Sequence, residues 1–241
     1  MRLISLVPSI TETLFDLGVP VSQVVGRTKF CIHPQDQVKN TAIVGGTKNL
    51  NITKIKTLKP DLIIANKEEN SKEQILELQK DFKVMVTAIS TLEDNYYLLK
   101  NLGNLLGKTE MAQHFNLKIY EIFQNIPAGS YKKCAYLIWR KPYMTVGSDT
   151  FIHEILSQLG FENIFKSHRR YPEVVTEDLK DAAYIFLSSE PYPFSKKHAE
   201  ELQRALPDAK IVLVDGEAFS WYGTHLAKCE NYFRHLIAEC R

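Results

Sequence analysis

Ile185 to Phe194 reads IFLSSEPYPF: an apolar run, two serines, then a carboxylate, two rings and two prolines. Pro191 and Pro193 restrict the backbone, so Glu190 and Tyr192 are expected to be held in place before any ligand arrives. Similar polar and aromatic loops follow the other apolar runs. They are Pro8-Ser9, RTKFCIHP from Arg27, GGTKNL from Gly45, NKEENS from Asn66, RKPYMTVGSDT from Arg140 and DGEAFSWYGTH from Asp215. Turn chemistry accounts for their Gly, Pro, Asn, Asp and Ser. It does not account for Tyr143, Tyr192, Phe194, Phe219, Trp221 and Tyr222, rings that solvent-exposed turns do not need. Converging, they would make a stacking wall for a flat ligand. Glu68, Glu69, Glu190 and Glu217, with Arg27, Lys29, Arg140 and Lys141 opposite, would bind a ligand's polar rim or bridge lobes.

Other chemistries are weaker. Cys31-x-His33 and His225-x-x-x-Cys229, the latter on one helix face, could hold zinc or iron. The plainer reading is a partly exposed histidine and a cysteine packed as a small hydrophobe. Cys229 and Cys240 lie roughly 16 Å apart along a helix and do not pair. GNLLGKT, from Gly103, has too few residues between its glycines for a phosphate loop and interrupts a helical stretch. HEILS, from His153, lacks the second histidine of a zinc protease. With no GxGxxG and no GxSxG, dinucleotide binding and serine hydrolysis lose their defining parts.

The elements that must position these loops alternate. Strands are expected near residues 3–7, 24–26, 61–65, 83–86, 134–139, 183–187 and 210–214, with amphipathic segments between most of them, the pattern of parallel sheets with crossover helices. Pro8 and the capping box Ser9-Ile10-Thr11-Glu12 announce the first helix, and Gly18 stops it. Residues 92–126 carry apolar side chains at helical spacing, interrupted at Gly103 and Gly107, and fit two successive helices. The second, about 27 Å long, ends at Pro127-Ala128-Gly129. The expected division is a lobe over residues 1–107, a connecting helix over 108–129 and a lobe over 130–241, with little hinge travel.

Lys plus Arg (30) nearly balances Asp plus Glu (28), and 44% of residues are hydrophobic. Disorder and nucleic-acid binding are poor fits. MRLISLVPSI is too short in apolar residues for a signal-peptide core, and no stretch reaches the ~20 of a membrane span. The chain reads as a soluble monomer, cytoplasmic if Met1 is the native start and periplasmic or surface-anchored if a signal preceded it.

RLISLVPSITETLFDLG, LKPDLIIANKEEN and the helix over 109–126 together resemble class III solute-binding proteins of ABC importers, whose ligands are cobalamin, iron-siderophores or haem. The resemblance covers nearly the whole chain. It implies two Rossmann-like α/β lobes joined by one backbone helix, with a ligand cleft between them, no built-in cofactor, no catalysis and a permease partner. It places Arg27, Phe30, Gly46, Thr47, Asn66 and Glu69 on one wall, and Trp139, Tyr143, Glu190, Tyr192, Phe219, Trp221 and Tyr222 on the other. Asn66 stands where cobalamin binders carry a stacking tryptophan, and Lys72 where they carry an acidic docking residue. The implied ligand is a corrinoid or an iron chelate. Two alternatives use other chemistry: a cytoplasmic metal-handling protein or enzyme working through Cys31, His33, His225 and Glu190, or an interaction module built on the aromatic loops.

Overall fold

Continuous apolar runs become the buried strands of two parallel sheets. In a computed structural model that describes residues 1–126 and 132–240, the first sheet takes β1 (Leu3–Ser5), β2 (Val24–Arg27), β3 (Ala42–Ile43), β4 (Leu62–Asn66) and β5 (Val84–Thr87). Their order is β3-β2-β1-β4-β5, every pairing parallel. β4 is buried on both faces, as its uninterrupted apolar sequence requires. The helices α1 (Pro8–Asp16), α2 (Gln35–Val38), α3 (Ile52–Leu58) and α4 (Lys72–Gln79) make the connections. The core gathers Ile4, Leu6, Ile55, Ile63 and Leu78.

The second sheet runs β11-β10-β6-β8, again parallel: β6 (Lys133–Leu137), β8 (Glu162–Asn163), β10 (Tyr184–Ser188) and β11 (Lys210–Val214). A small antiparallel ribbon pairs β7 (Tyr143–Met144) with β9 (Glu173–Val174). Around them stand α7 (Phe151–Gln158), α8 (Lys196–Ala205), α9 (Gly216–Ser220) and α10 (Glu230–Glu239). Ala135, Leu137, Ile185, Leu187 and Leu202 centre its core. The α/β class with parallel sheets is therefore as expected.

The chain forms two compact units, Met1–Ile89 with Glu93–Lys118 and Tyr222–His225, and Ser90–Leu92 with Ile119–Trp221 and Leu226–Arg241. Two successive helices fill the middle as read, α5 (Leu92–Leu106) and α6 (Thr109–Asn125), and the division falls inside α6. Pro127-Ala128-Gly129 lie outside the described residues. Among the described residues no helix is long and apolar enough to cross a membrane.

Three local expectations are corrected. Ser9 and Glu12 form no capping box: the N-cap is Val7, without a side-chain cap, because Pro8 starts the helix two residues earlier. Glu12 instead bonds His225. Gly103 lies inside α5 and does not interrupt it. A Cβ there would stand 2.5 Å from the Cβ of Ala112, so glycine is what lets α5 and α6 approach. The break comes at Gly107, in left-handed backbone at φ 65°. His225 and Cys229 do not share an α-helical face, since Gly223–Lys228 is a 3-10 segment and Cys229 the N-cap of α10.

Candidate functional site

Both sheets reverse their winding once, and each reversal opens a crevice at the carboxyl ends of two neighbouring strands, where open parallel sheets take ligands. In the first unit the reversal falls between β1 and β4, in the second between β6 and β10.

At the first crevice the loop after β4 is organised by Asn66. Its Oδ1 accepts from the amides of Glu68 (2.8 Å) and Glu69 (3.3 Å), and its Nδ2 donates to Thr87 Oγ1 at 3.1 Å. Asn70 Nδ2 ties that loop to the carbonyls of Leu6 (3.2 Å) and Thr47 (3.1 Å). Glu69 and Thr47 are left half-buried at the rim. Arg27, expected to face a ligand, is buried. Its Nε donates to the Val38 carbonyl at 2.8 Å and a terminal nitrogen to the Thr28 carbonyl at 3.1 Å. Those bonds brace the excursion that carries Phe30. Phe30 is 49% exposed, with Lys29 Nζ 5.0 Å from its ring centroid. Gly46 lies directly under that ring: a Cβ there would meet Phe30 at 3.4 Å. Gly45, at φ 116°, turns the chain where a Cβ would strike the Asn49 carbonyl.

Tyr222 belongs to this unit and not to the wall assigned from sequence. It is buried, with Glu69, Thr87 and Ser9 around its phenol, and burial first and Glu69 second push its pKa well up. The residues after it dock on α1: Thr224 N donates to Thr13 Oγ1 at 3.1 Å, Thr224 Oγ1 to Asp16 at 2.6 Å, and His225 Nδ1 pairs with Glu12 Oε2 at 2.8 Å. The other metal candidates are separate from that pair. Cys31 is buried beside Thr28 Oγ1 at 3.2 Å, burial raising its thiol pKa, and His33 lies half-buried two residues on. Among the described residues no three His, Cys, Asp or Glu side chains come together as ligands.

At the second crevice, Trp139 stands 41% exposed after β6. Tyr192, after β10, meets it edge to face at 5.7 Å, and half-buried Tyr143 packs on the core nearby. Arg140 bonds Glu201 at 2.5 Å and faces the Tyr192 and Tyr143 phenols. The remaining rings do not join this wall. Phe219 is fully buried against Tyr136, Phe186 and Phe233, because α9 turns that position into the core. Phe194 is a core residue, and Trp221 is buried. Glu190 is engaged inside the unit, its Oε1 accepting from Ser220 Oγ (2.7 Å) and Trp221 Nε1 (3.1 Å). Gly216 permits that docking, since a Cβ would lie 2.5 Å from Glu190 Cγ.

Sequence reasoning missed Asn70 and Thr87, whose partners are set by strand pairing, and it missed His198. The spacing Ser195-x-x-His198 was the available signal for the last, a capping box with an imidazole in place of the usual carboxylate.

A family model described as periplasmic binding protein matches residues 3–207. The vitamin B12-binding protein of Salmonella typhimurium is 29% identical over 184 residues, 74% of this chain and 68% of that one. Among solved structures, the periplasmic vitamin B12 binding protein of Vibrio cholerae superimposes with a TM-score of 0.81 at 21% identity, over 99% of this chain and 96% of that one. A possible iron-binding periplasmic solute-binding protein from Staphylococcus epidermidis gives 0.80 at 24%, over 97% of each chain.

Proposed function

The chain belongs to the periplasmic binding protein family, and from that premise we propose that it is the substrate-binding component of an ABC-type importer, receiving a corrinoid and performing no catalysis. The observation that carries this reading is the exposure of aromatic rings where each sheet's carboxyl edge takes ligands: Phe30 on one unit, Trp139 with Tyr192 on the other. Lys29 lies over the Phe30 ring and Arg140 bonds the Tyr192 phenol, cations suited to the amide and phosphate oxygens around a corrin. Stacking contributes about 0.5–1.5 kcal/mol per ring beyond area burial. The vitamin B12-binding relatives support a corrinoid. A metal-handling role is less well supported, because Cys31 is buried and His225 is bonded to Glu12.

Titration of the purified protein with cyanocobalamin, haemin and a ferric chelate, followed by calorimetry and tryptophan fluorescence, tests it. Cyanocobalamin is expected to bind, and Phe30→Ala and Trp139→Ala each to weaken it about 2- to 10-fold. If no ligand in the set binds more tightly than roughly 100 μM, the reading is wrong.

A further inference from the structure

His198 sits one turn into α8 and faces back toward the loop that carries Tyr192. Its Nδ1 lies 3.0 Å from the Ser195 amide nitrogen and 3.2 Å from Ser195 Oγ. A backbone N–H can only donate, so Nδ1 carries a lone pair and the proton of the neutral ring is on Nε2. Nε2–H then points at Tyr192 Oη, 3.4 Å away, and it too can only donate. Arg140, the other group facing that phenol, has no acceptor at all. Tyr192 is thus met by donors on both sides and must accept from them, which leaves its own O–H to point elsewhere. The ring itself is fixed, packed edge-on against Trp139 at 5.7 Å and Phe194 at 4.8 Å, with the imidazole at 5.4 Å.

We infer that His198 is a positioning residue that turns the Tyr192 hydroxyl outward as a donor, so that the loop after β10 selects a ligand whose rim carries acceptor oxygens, carboxamide or carboxylate, laid against Trp139. This rests on the binding reading above and deepens it: the ring surface takes the flat body and the phenol reads the rim.

The test uses the full chain, with cyanocobalamin as the carboxamide probe and haemin as the carboxylate probe. Tyr192→Phe is expected to weaken whichever probe binds by about 3- to 10-fold. In His198→Asn the amide oxygen can still accept from Ser195, but nothing replaces the Nε2 donor. This variant should lose a similar factor, and the double variant should be no worse than Tyr192→Phe alone. A long-range proton–nitrogen spectrum of the free protein should show His198 as the Nε2–H tautomer. An Nδ1–H tautomer, additive losses in the double variant, or wild-type affinity in Tyr192→Phe overturns the inference while leaving the binding reading standing. Failure of both probes to bind the wild type removes that reading and this inference with it.

Discussion

Replacing Asn66 separates a ligand contact from a loop organiser. Three hydrogen bonds leave its side chain, two of them from the backbone amides of Glu68 and Glu69. Asn66→Ala removes all three at a buried position. At about 1 kcal/mol net for each bond, the local structure of the loop loses about 2–3 kcal/mol. Amide hydrogen exchange reads that directly: protection at Glu68 and Glu69 should fall about 30- to 150-fold, at 1.4 kcal/mol per factor of ten. Asn66→Asp refines the test. It keeps an acceptor for both amides but sets a second oxygen against Thr87 Oγ1, whose proton already goes to the Ala65 carbonyl at 3.0 Å. A buried carboxylate there, close to Glu68 and Glu69, favours its protonated form, which can donate to Thr87. A carboxyl pKa raised by folding gives stability that grows as pH falls, so this variant should regain protection between pH 8 and pH 5. Protection in Asn66→Ala within threefold of wild type would refute the assignment, and Asn66 would return to being a ligand-facing residue.

Phe219→Ala should destabilise the second unit by about 3–5 kcal/mol in urea unfolding, as a ring deleted from among Tyr136, Phe186 and Phe233 does; the milder Phe219→Leu should leave ligand affinity unchanged. Gly103→Val should lower the thermal midpoint, by about 1–3 kcal/mol of overpacking where a Cβ meets Ala112 at 2.5 Å. His225→Ala should cost about 1–3 kcal/mol through the lost 2.8 Å bond to buried Glu12, read by the same midpoint. The four free cysteines are all buried, so Ellman's reagent at pH 8 should label them slowly in the native chain and all of them in denaturant. Burial pushes the Cys240 thiol from 9.0 to about 11, so its share of stability holds below about pH 9 and is lost as pH rises toward 11.

The strands were legible because burial on both faces leaves an apolar run that no helix period explains, as in Leu62–Asn66 and Tyr184–Ser188. The two-residue strands were not. Glu162–Asn163 is polar, and Asn163 is held there by a side-chain bond to the Val146 carbonyl at 2.8 Å. Gly103 and Glu12 misled for one shared reason. Each has a local pattern, a helix break or a capping box, and each answers to a partner that local pattern cannot see: Ala112 on the next helix, and His225, 213 residues along the chain.

The candidate site was legible by position and much less by role, and the cause is the same geometry that makes the site. Strand order sends the loops of β1, β4, β6 and β10 to two crevices, and a chain rich in Asn, Glu, Tyr and Trp after those strands announces them. Loops crowded at a sheet edge must first satisfy one another, because buried amides and carboxylates without partners are expensive. Arg27, Asn66 and Glu190 are accordingly bonded within their own units, and Phe219 turns inward with its helix. The groups available to a ligand are those left after that internal satisfaction: Phe30 over Gly46, Trp139 beside Tyr192, and a phenol whose neighbours can only donate. Recognition here follows from what the fold does not consume, so variants of the bonded residues should alter stability first and variants of the left-over ones affinity first.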